Sequence, residues 1–334
     1  MSAFLPLLTN SSCTCFRRCP REYYFKYVLL RRPRRKTDAL RFGSFFHLGL
    51  NAWWSVGDVS QSTKLDAAVH AMDPTTGDVD LFDHAKAVAL MIGYTAMWGD
   101  VRYETLAVER QFRLPLNVGR LIGPASKFDL GGAIDAIVRD AKGNVALLEH
   151  KTTSEDISPT SDYWRHVVAL DPQVSTYMSA AKALGYDPRS CIYDVIRKPT
   201  LTPARATPED KKKYTKPTKA DPLPRLYAGQ RETDETPEEY SARLLEDIQS
   251  QPDRYFARQV IVRLEHDNDA HAEDVRMTAE AIEFATERSA FPRTPSACER
   301  YHRLCEYHDV CSGNASIDDA QFESKARAHE ELAP

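Results

Sequence analysis

An acidic residue two positions before a lysine occurs five times in this chain: Asp140/Lys142, Glu149/Lys151, Glu209/Lys211, Asp210/Lys212 and Glu323/Lys325. Context separates them. Asp140 and Lys142 fall in Asp140-Ala-Lys-Gly-Asn144, a turn signal, and the last three pairs fall in polar loop or tail. Only Glu149 and Lys151 end an apolar run, Val145-Ala-Leu-Leu148. Alternate residues of a strand share a face, so Glu149 and Lys151 point the same way. Asp135 closes a second run, Gly131-Gly-Ala-Ile-Asp135, which can pair with the first across the turn. Two carboxylates beside a lysine suit Mg2+ or Mn2+, hard ions that prefer oxygen ligands. Such an ion polarises a phosphodiester and lowers the pKa of a bound water. The lysine can orient that water and offset charge developing on phosphorus. A cross-strand ion pair at a sheet end is the other reading these residues allow.

The elements that must position this group follow from periodicity. Ser11 or Ser12 caps a predicted helix that runs to about Leu30, with a break at Pro20. A basic connector over 31–36 leads to a helix from about Leu40 that carries Gly43, His47 and Trp54. Helices are expected over 61–72 and 81–98, then strands over 104–116, 128–139 and 144–151, the last two a hairpin. A helix over 161–184, a strand over 190–198, a helix over 238–251, a strand over 257–265 and a helix over 270–289 complete the pattern. Strands interleaved with helices predict an α/β fold, a mixed β-sheet core flanked by helices. Residues 199–236 are rich in Pro, Lys and Thr and read as a long loop. Residues 292–313 look irregular, and the last 20 look frayed.

The 334 residues carry a formal net charge of −4, with 42% hydrophobic and 28% charged residues, as in a soluble globular protein. No stretch approaches the roughly 20 apolar residues of a membrane span, and the N-terminus does not read as a signal peptide. A cytoplasmic location is the expectation. Ten Lys/Arg against two acids lie between Arg17 and Arg41, and five Lys between Lys211 and Lys219. Local basic stretches in a mildly acidic chain suit a polyanion held at one face, or else are solvated loops. Arg31, Arg32, Arg34, Arg35 and Lys36 sit between the Cys19 and His47 helices, where they could line a DNA path. Tyr23, Tyr24, Trp53 and Trp54 could stack on single-stranded bases, although core packing also accounts for them. No Walker A motif is present, so the chain carries no ATP motor signal of its own.

Seven cysteines are present, three near the start (Cys13, Cys15, Cys19), Cys191, and three near the end (Cys298, Cys305, Cys311). An odd count without secretion signals argues for metal or cluster ligation over a disulfide framework. Cys191 on a core strand reads as a small buried hydrophobe, and Cys13 and Cys15 are spare candidates.

In these motifs the chain resembles the RecB-like exonuclease branch of the PD-(D/E)XK nuclease superfamily. Gly43-Ser-Phe-Phe-His47, Gly132-Ala-Ile-Asp135, Glu149-His-Lys151 and Gln173-Val-Ser-Thr-Tyr177 occur in that branch's order over residues 43–177. The resemblance implies a restriction-endonuclease-like fold with Asp135, Glu149 and Lys151 as catalytic residues. It implies His47, Asp135, Glu149 and the His150 backbone carbonyl as ligands of Mg2+ or Mn2+. It further implies that Gln173 and Tyr177 contact DNA or brace the site, with Gly43 and Glu109 in support. Read alone, His47 could equally be a packed helix histidine. Cys19, in Cys19-Pro-Arg-Glu, is similar to a cysteine of AddB and the CRISPR-adaptation nucleases that joins three C-terminal cysteines on a [4Fe–4S] cluster. Cys298, Cys305 and Cys311 would complete it, although their spacing is wider than usual, which keeps zinc open, with four cysteines or with His302 or His308 substituting.

The organisation expected is a helical region over 1–100, a nuclease core over 101–200, a basic loop over 201–236, helices, strand and cysteines over 237–313, and a tail over 314–334. A cysteine-cluster clasp would join the two ends, since the C-terminal segment has few apolar residues with which to dock. The resemblance implies a metal-dependent DNA exonuclease of phage or bacterial recombination or repair, acting on ends or single strands beside a recombination or helicase partner. An endonuclease of the same fold and a non-catalytic, cluster-stabilised DNA-binding module are the alternatives.

Overall fold

The structure, a computed structural model, describes residues 6–34, 38–75, 79–116, 127–165, 170–216, 223–300, 303–330 and 332. Arg35, Lys36 and His302, singled out above, lie outside them. A two-residue strand β1 (Leu7–Leu8) precedes α1 (Asn10–Arg18). The cap of α1 is Thr9, not Ser11 or Ser12: Thr9 and Ser12 cap one another reciprocally. Cys19 then turns extended and Pro20 starts α2 (Pro20–Tyr23), the break expected of a proline, followed by a π-helical turn over Tyr24–Val28. Next come β2 (Arg31–Pro33), α3 (Asp38–Ser55), α4 (Gln61–Ala71), α5 (Leu81–Trp98), β3 (Glu104–Pro115), β4 (Asp129–Arg139) and β5 (Val145–Thr153). The later elements are α6 (Pro172–Ala183), β6 (Pro188–Arg197), α7 (Pro237–Ser250), β7 (Phe256–Ile261), α8 (Glu265–Glu287), β8 (Glu299–Arg300), β9 (Arg303–Leu304), α9 (His308–Ser312) and β10 (Phe322–Ser324).

One mixed sheet organises the chain. β4 pairs antiparallel with β3 and β5, and in parallel with β1; β5 pairs parallel with β6, and β6 antiparallel with β7. This is the α/β architecture expected. Each face of the sheet is covered. Leu147, Tyr193 and Val195 pack against α1, α6 and α8 through Phe16, Met178 and Ile282. Leu148, Ile192 and Ile196 pack against α3, α5 and α7 through Phe46, Leu90 and Leu244. The near-continuous burial along β4, β5 and β6 is what a sheet covered on both faces requires.

Four local expectations are corrected. The helix expected over 161–184 is interrupted: residues 162–165 are helical, 170 and 171 are not, and α6 starts afresh at Pro172, because Asp171 accepts the Gln173 N–H and proline takes the first helical position. The strand expected to reach residue 265 ends at Ile261, and α8 starts at Glu265 rather than 270. The loop over 199–236 holds a 3-10 turn at Glu209–Lys211 and a bridge between Tyr214 and Leu226. The last 20 residues are not simply frayed: β10 pairs antiparallel with β2, and Phe322 is buried with Phe25 and Tyr307 in a third, small core. Among the described residues no helix is long and apolar enough to cross a membrane.

Candidate active site

The hairpin of β4 and β5 runs in register from Arg139↔Val145 to Ala136↔Leu148. One step on, the Asp135 carboxylate takes the place of a backbone acceptor, and its Oδ2 accepts the His150 N–H at 2.8 Å. β5 continues along β6, with Glu149 beside Tyr193 and Lys151 beside Val195. On the far side of β4, the pairs Val108↔Ala136 and Arg110↔Ile134 set Glu109 across from Asp135. Glu109, Asp135 and Glu149 therefore stand at one level of three neighbouring strands.

Glu149 is buried, 2% exposed. Lys151 shares its face, as period-two geometry requires, and Lys151 Nζ donates to Glu149 Oε1 at 2.5 Å and to Gln173 Oε1 at 2.7 Å. Burial, then the Asp135 charge, raises the Glu149 pKa, with Lys151 acting against both. Burial alone would depress the Lys151 pKa, but the Glu149 and Asp135 carboxylates outweigh it and raise it. Glu149 Oε2 is buried without a hydrogen-bond partner among the described residues. A carboxyl group held this way needs either a cation on that oxygen or a proton that neutralises it.

His47 approaches from α3, its ring centroid 6.1 Å from that of His150. Burial lowers its pKa while the Asp135 charge raises it, so the neutral imidazole of a metal ligand is the favoured form. Gly43, one turn earlier, allows this approach: a Cβ there would sit 3.1 Å from Thr152 Oγ1 on β5. Also on α3, Asn51 Nδ2 donates to Glu109 Oε1 at 2.7 Å. Glu109 has φ +48°, a left-handed backbone that a non-glycine residue holds at a cost of about 1–3 kcal/mol. Partial burial and then Asp135 raise the Glu109 pKa.

Behind the site lies a buried polar group that the sequence reading missed. Asp194 on β6 is fully buried. It accepts from Tyr94 Oη at 2.7 Å and from Arg258 Nε and Nη2 at 2.9 and 3.2 Å. His150 Nδ1 lies 3.0 Å from its Oδ2. Burial works against the charge, but Arg258 and His150 hold the Asp194 carboxyl well below the usual carboxylate range. Arg258 in turn lies 4.1 Å above the Trp98 ring. The available signal was one acid within the apolar run Cys191-Ile-Tyr-Asp-Val-Ile196.

The other residues singled out fall into place differently. Tyr177 is buried edge-on to Phe112, over Gly132, where a Cβ would meet its ring at 3.0 Å. That position suits bracing rather than contact with a ligand. Tyr23, Trp53 and Trp54 are buried in the cores, and Tyr24 stacks on Phe291. Arg31, Arg32 and Arg34 meet the C-terminal tail. Arg31 bonds Ser324 Oγ at 2.6 Å and Asp318 Oδ1 at 2.7 Å, Arg32 bonds the Ala328 carbonyl, and Arg34 bonds the Ala320 carbonyl at 2.6 Å.

Cys19, Cys298, Cys305 and Cys311, drawn from the two ends of the chain, line one cavity of about 180 Å3 together with His308. Burial pushes the Cys305 thiol up to about 11, and Cys19 and Cys311 are near enough to add to that. Cys13 and Cys15 lie in the core under the sheet, as does Cys191. The C-terminal segment also docks by burial, through Tyr307 and Phe322, and Tyr307 Oη donates to the Arg31 carbonyl at 2.7 Å. Among the described residues no three His, Cys, Asp or Glu side chains close into a ready single-ion cage. The donors at Asp135 and Glu149 still fit a hard divalent ion, because the orphaned Glu149 oxygen is of the type such an ion takes.

The mixed sheet thus brings Asp135 and Glu149 to one level beside Lys151. The family pattern of the PD-(D/E)XK nuclease superfamily matches residues 8–312. The chain belongs to that superfamily and is a nuclease by that membership. Among solved structures it is similar to one titled "Crystal structure of SSO0001", at 14% identity over 75% of this chain and 78% of that one, with a TM-score of 0.25, too low to argue from. No curated protein sequence matches.

Proposed function

We propose that the chain is a metal-dependent DNA exonuclease of the RecB-like type, serving recombination or repair in the cytoplasm of a bacterial or phage-infected cell. The observation that carries this is the buried Glu149, bonded to Lys151 through one oxygen and unpartnered at the other, next to Asp135. Asp135, Glu149, His47 and the His150 carbonyl would hold Mg2+ or Mn2+. A divalent ion held there supplies Lewis acidity at the phosphodiester and acidifies water. Lys151, steadied between Glu149 and Gln173, orients the attacking water and meets the charge that develops on the phosphate oxygens. Glu109, tethered by Asn51, adds a carboxylate beside Asp135. Tyr177 holds α6, and with it Gln173, against β4.

The four-thiol cavity supports a [4Fe–4S] cluster better than zinc. Its thiols do not close on a single ion, and a cluster of four irons needs a wider cage with four thiolates. Chemical determination of iron and sulfide, with the visible absorbance of the purified protein, tests this.

The catalytic test uses DNA labelled at the 5′ or 3′ end, and linear against circular substrates, with Mn2+. Asp135→Ala, Glu149→Ala and Lys151→Ala should each abolish degradation, while Asp140→Ala and Lys142→Ala retain it. Full activity in Lys151→Ala would refute the assigned site. Cleavage of circular DNA would make the chain an endonuclease instead.

A further inference from the structure

The segment over 199–236 leaves the sheet at the end that carries Lys151: the Lys198 N–H donates to the Thr153 carbonyl on β5 at 2.7 Å. Polar bonds order it. Buried Glu235 pins its base, accepting from the Ala204 N–H at 2.7 Å and from Arg243 Nε and Nη2 at 2.8 and 2.7 Å. Further out, the Thr207 N–H donates to the Arg231 carbonyl at 2.9 Å. The Gln230 side chain accepts from the Lys213 N–H at 2.7 Å and donates to the Lys211 carbonyl at 2.9 Å. The Thr215 and Tyr227 N–H groups bond the Arg225 and Lys213 carbonyls at 2.7 and 2.9 Å, closing a short hairpin around the Tyr214–Leu226 bridge. Apolar burial does not account for this order, because Tyr214, Leu223 and Tyr227 are 43%, 72% and 50% exposed. Ordering a polar segment costs entropy that packing here does not offset, which marks the arm as a functional element.

The charges of the arm are sorted by face. Lys212 reaches Glu209 and Glu232 at 2.6 and 2.7 Å, and Tyr214 Oη donates to Glu232 at 3.1 Å, so one face neutralises itself. Strand parity turns Lys213 and its cross-strand neighbour Tyr227 to the other face. Lys211, Lys213 and Lys216 are exposed, and among the described residues none of the three is in an ion pair. We propose that this arm grips the phosphate backbone of DNA away from the scissile phosphate, through Lys211, Lys213, Lys216 and the Tyr227 hydroxyl. The proposal rests on the nuclease reading and adds a second contact surface to it. Lysine and tyrosine hydroxyl donors fit phosphate oxygens and read no sequence. A protein partner is the poorer fit, since interface centres are depleted in lysine. In a chain of net charge −4, three uncompensated lysines beside the catalytic strand set the local sign against the global one. The arm touches none of Asp135, Glu149 or Lys151, so it acts on capture of DNA and leaves the chemical step alone.

The experiment measures fluorescence anisotropy of a labelled blunt DNA duplex in EDTA, so that nothing is cleaved, over a series of salt concentrations. The triple variant Lys211→Gln, Lys213→Gln, Lys216→Gln should lower the slope of log affinity against log salt by about 2, three contacts at roughly 0.7 to 0.9 each. Lys142→Gln, Lys182→Gln, Arg189→Gln is the matched control. It removes the same charge from exposed positions near the opposite end of the sheet, where Val145 pairs with Pro188, and should keep the wild-type slope. Tyr227→Phe should weaken binding about threefold with the slope unchanged, because a neutral contact releases no counterion. With Mn2+ added, the lysine triple should raise KM and leave kcat near wild type. An unchanged slope in that triple, an equal loss in the control, or a fall in kcat at constant KM overturns the proposal. Failure of the nuclease reading shows separately: a wild type whose salt slope depends on the three lysines yet which degrades no DNA in Mn2+.

Discussion

Asp194→Asn probes the buried group behind the active site. The substitution keeps the side-chain volume but removes the charge and one of two acceptor oxygens. Asp194 now serves three donor atoms, Tyr94 Oη and two Arg258 nitrogens, with His150 Nδ1 beside them. Arg258 is only 10% exposed at its side chain and would stay charged without its partner. Breaking a buried pair by removing one member costs about 3–5 kcal/mol. Urea unfolding followed by tryptophan fluorescence reads this directly, because Trp54 and Trp98 flank Arg258. Asp194→Leu combined with Arg258→Met should recover most of the loss, since neither charge is then left stranded. Cleavage should fall in Asp194→Asn even where it is fully folded, because the His150 N–H holds Asp135. A stability change under about 1 kcal/mol, or a double variant as unstable as the single, would refute the reasoning.

Cys19→Ser should lose the iron and sulfide complement and expose both ends to limited proteolysis, while Cys191→Ser keeps full content; a Cys19→Ser protein with full iron would overturn the four-ligand set. His271, whose pKa burial lowers to about 4 with Arg17 adding to the effect, bonds Thr176 at 2.8 Å. The unfolded chain binds its proton first, so stability should be full above pH ~6.5 and fall by up to about 3 kcal/mol as the pH drops toward 4. Thermal melting across that window should show the fall, and His271→Gln should flatten it. Arg31→Gln with Arg34→Gln should make residues after 313 sensitive to protease; an unaltered digestion pattern joined to a lower salt slope of DNA binding would return these arginines to the DNA.

The grouping of Asp135, Glu149 and Lys151 was legible because chemistry and strand parity agree there: Glu149 and Lys151 share one face of β5 and Asp135 lies on its partner β4, although both strands run on past them. The face assignments of β5 and the break at Pro20 follow from local rules that tertiary packing did not override. Asp194 was hidden because its partners come from α5, β5 and β7, and no spacing within β6 announces them. The tail partners of the arginines were hidden for a similar reason. A run of like charge reads as a polyanion surface, whereas a carboxylate and backbone carbonyls from the tail take up Arg31, Arg32 and Arg34. The start of α6 turned on a single proline whose capping aspartate carries no periodicity.

The meeting of the two chain ends has a consequence for biosynthesis. Arg31 and Ser324 are 293 residues apart, and Cys19 waits on cysteines almost as distant. At about 5–20 residues per second, a ribosome needs roughly 15–60 s between making Cys19 and making Cys311. Through that interval the Cys19 thiol, Phe25 and the bare edge of β2 have emerged without their partners. These are the groups a holdase would meet on the nascent chain, and an oxidant would meet them too. Any messenger truncated before residue 298 would leave them open for good.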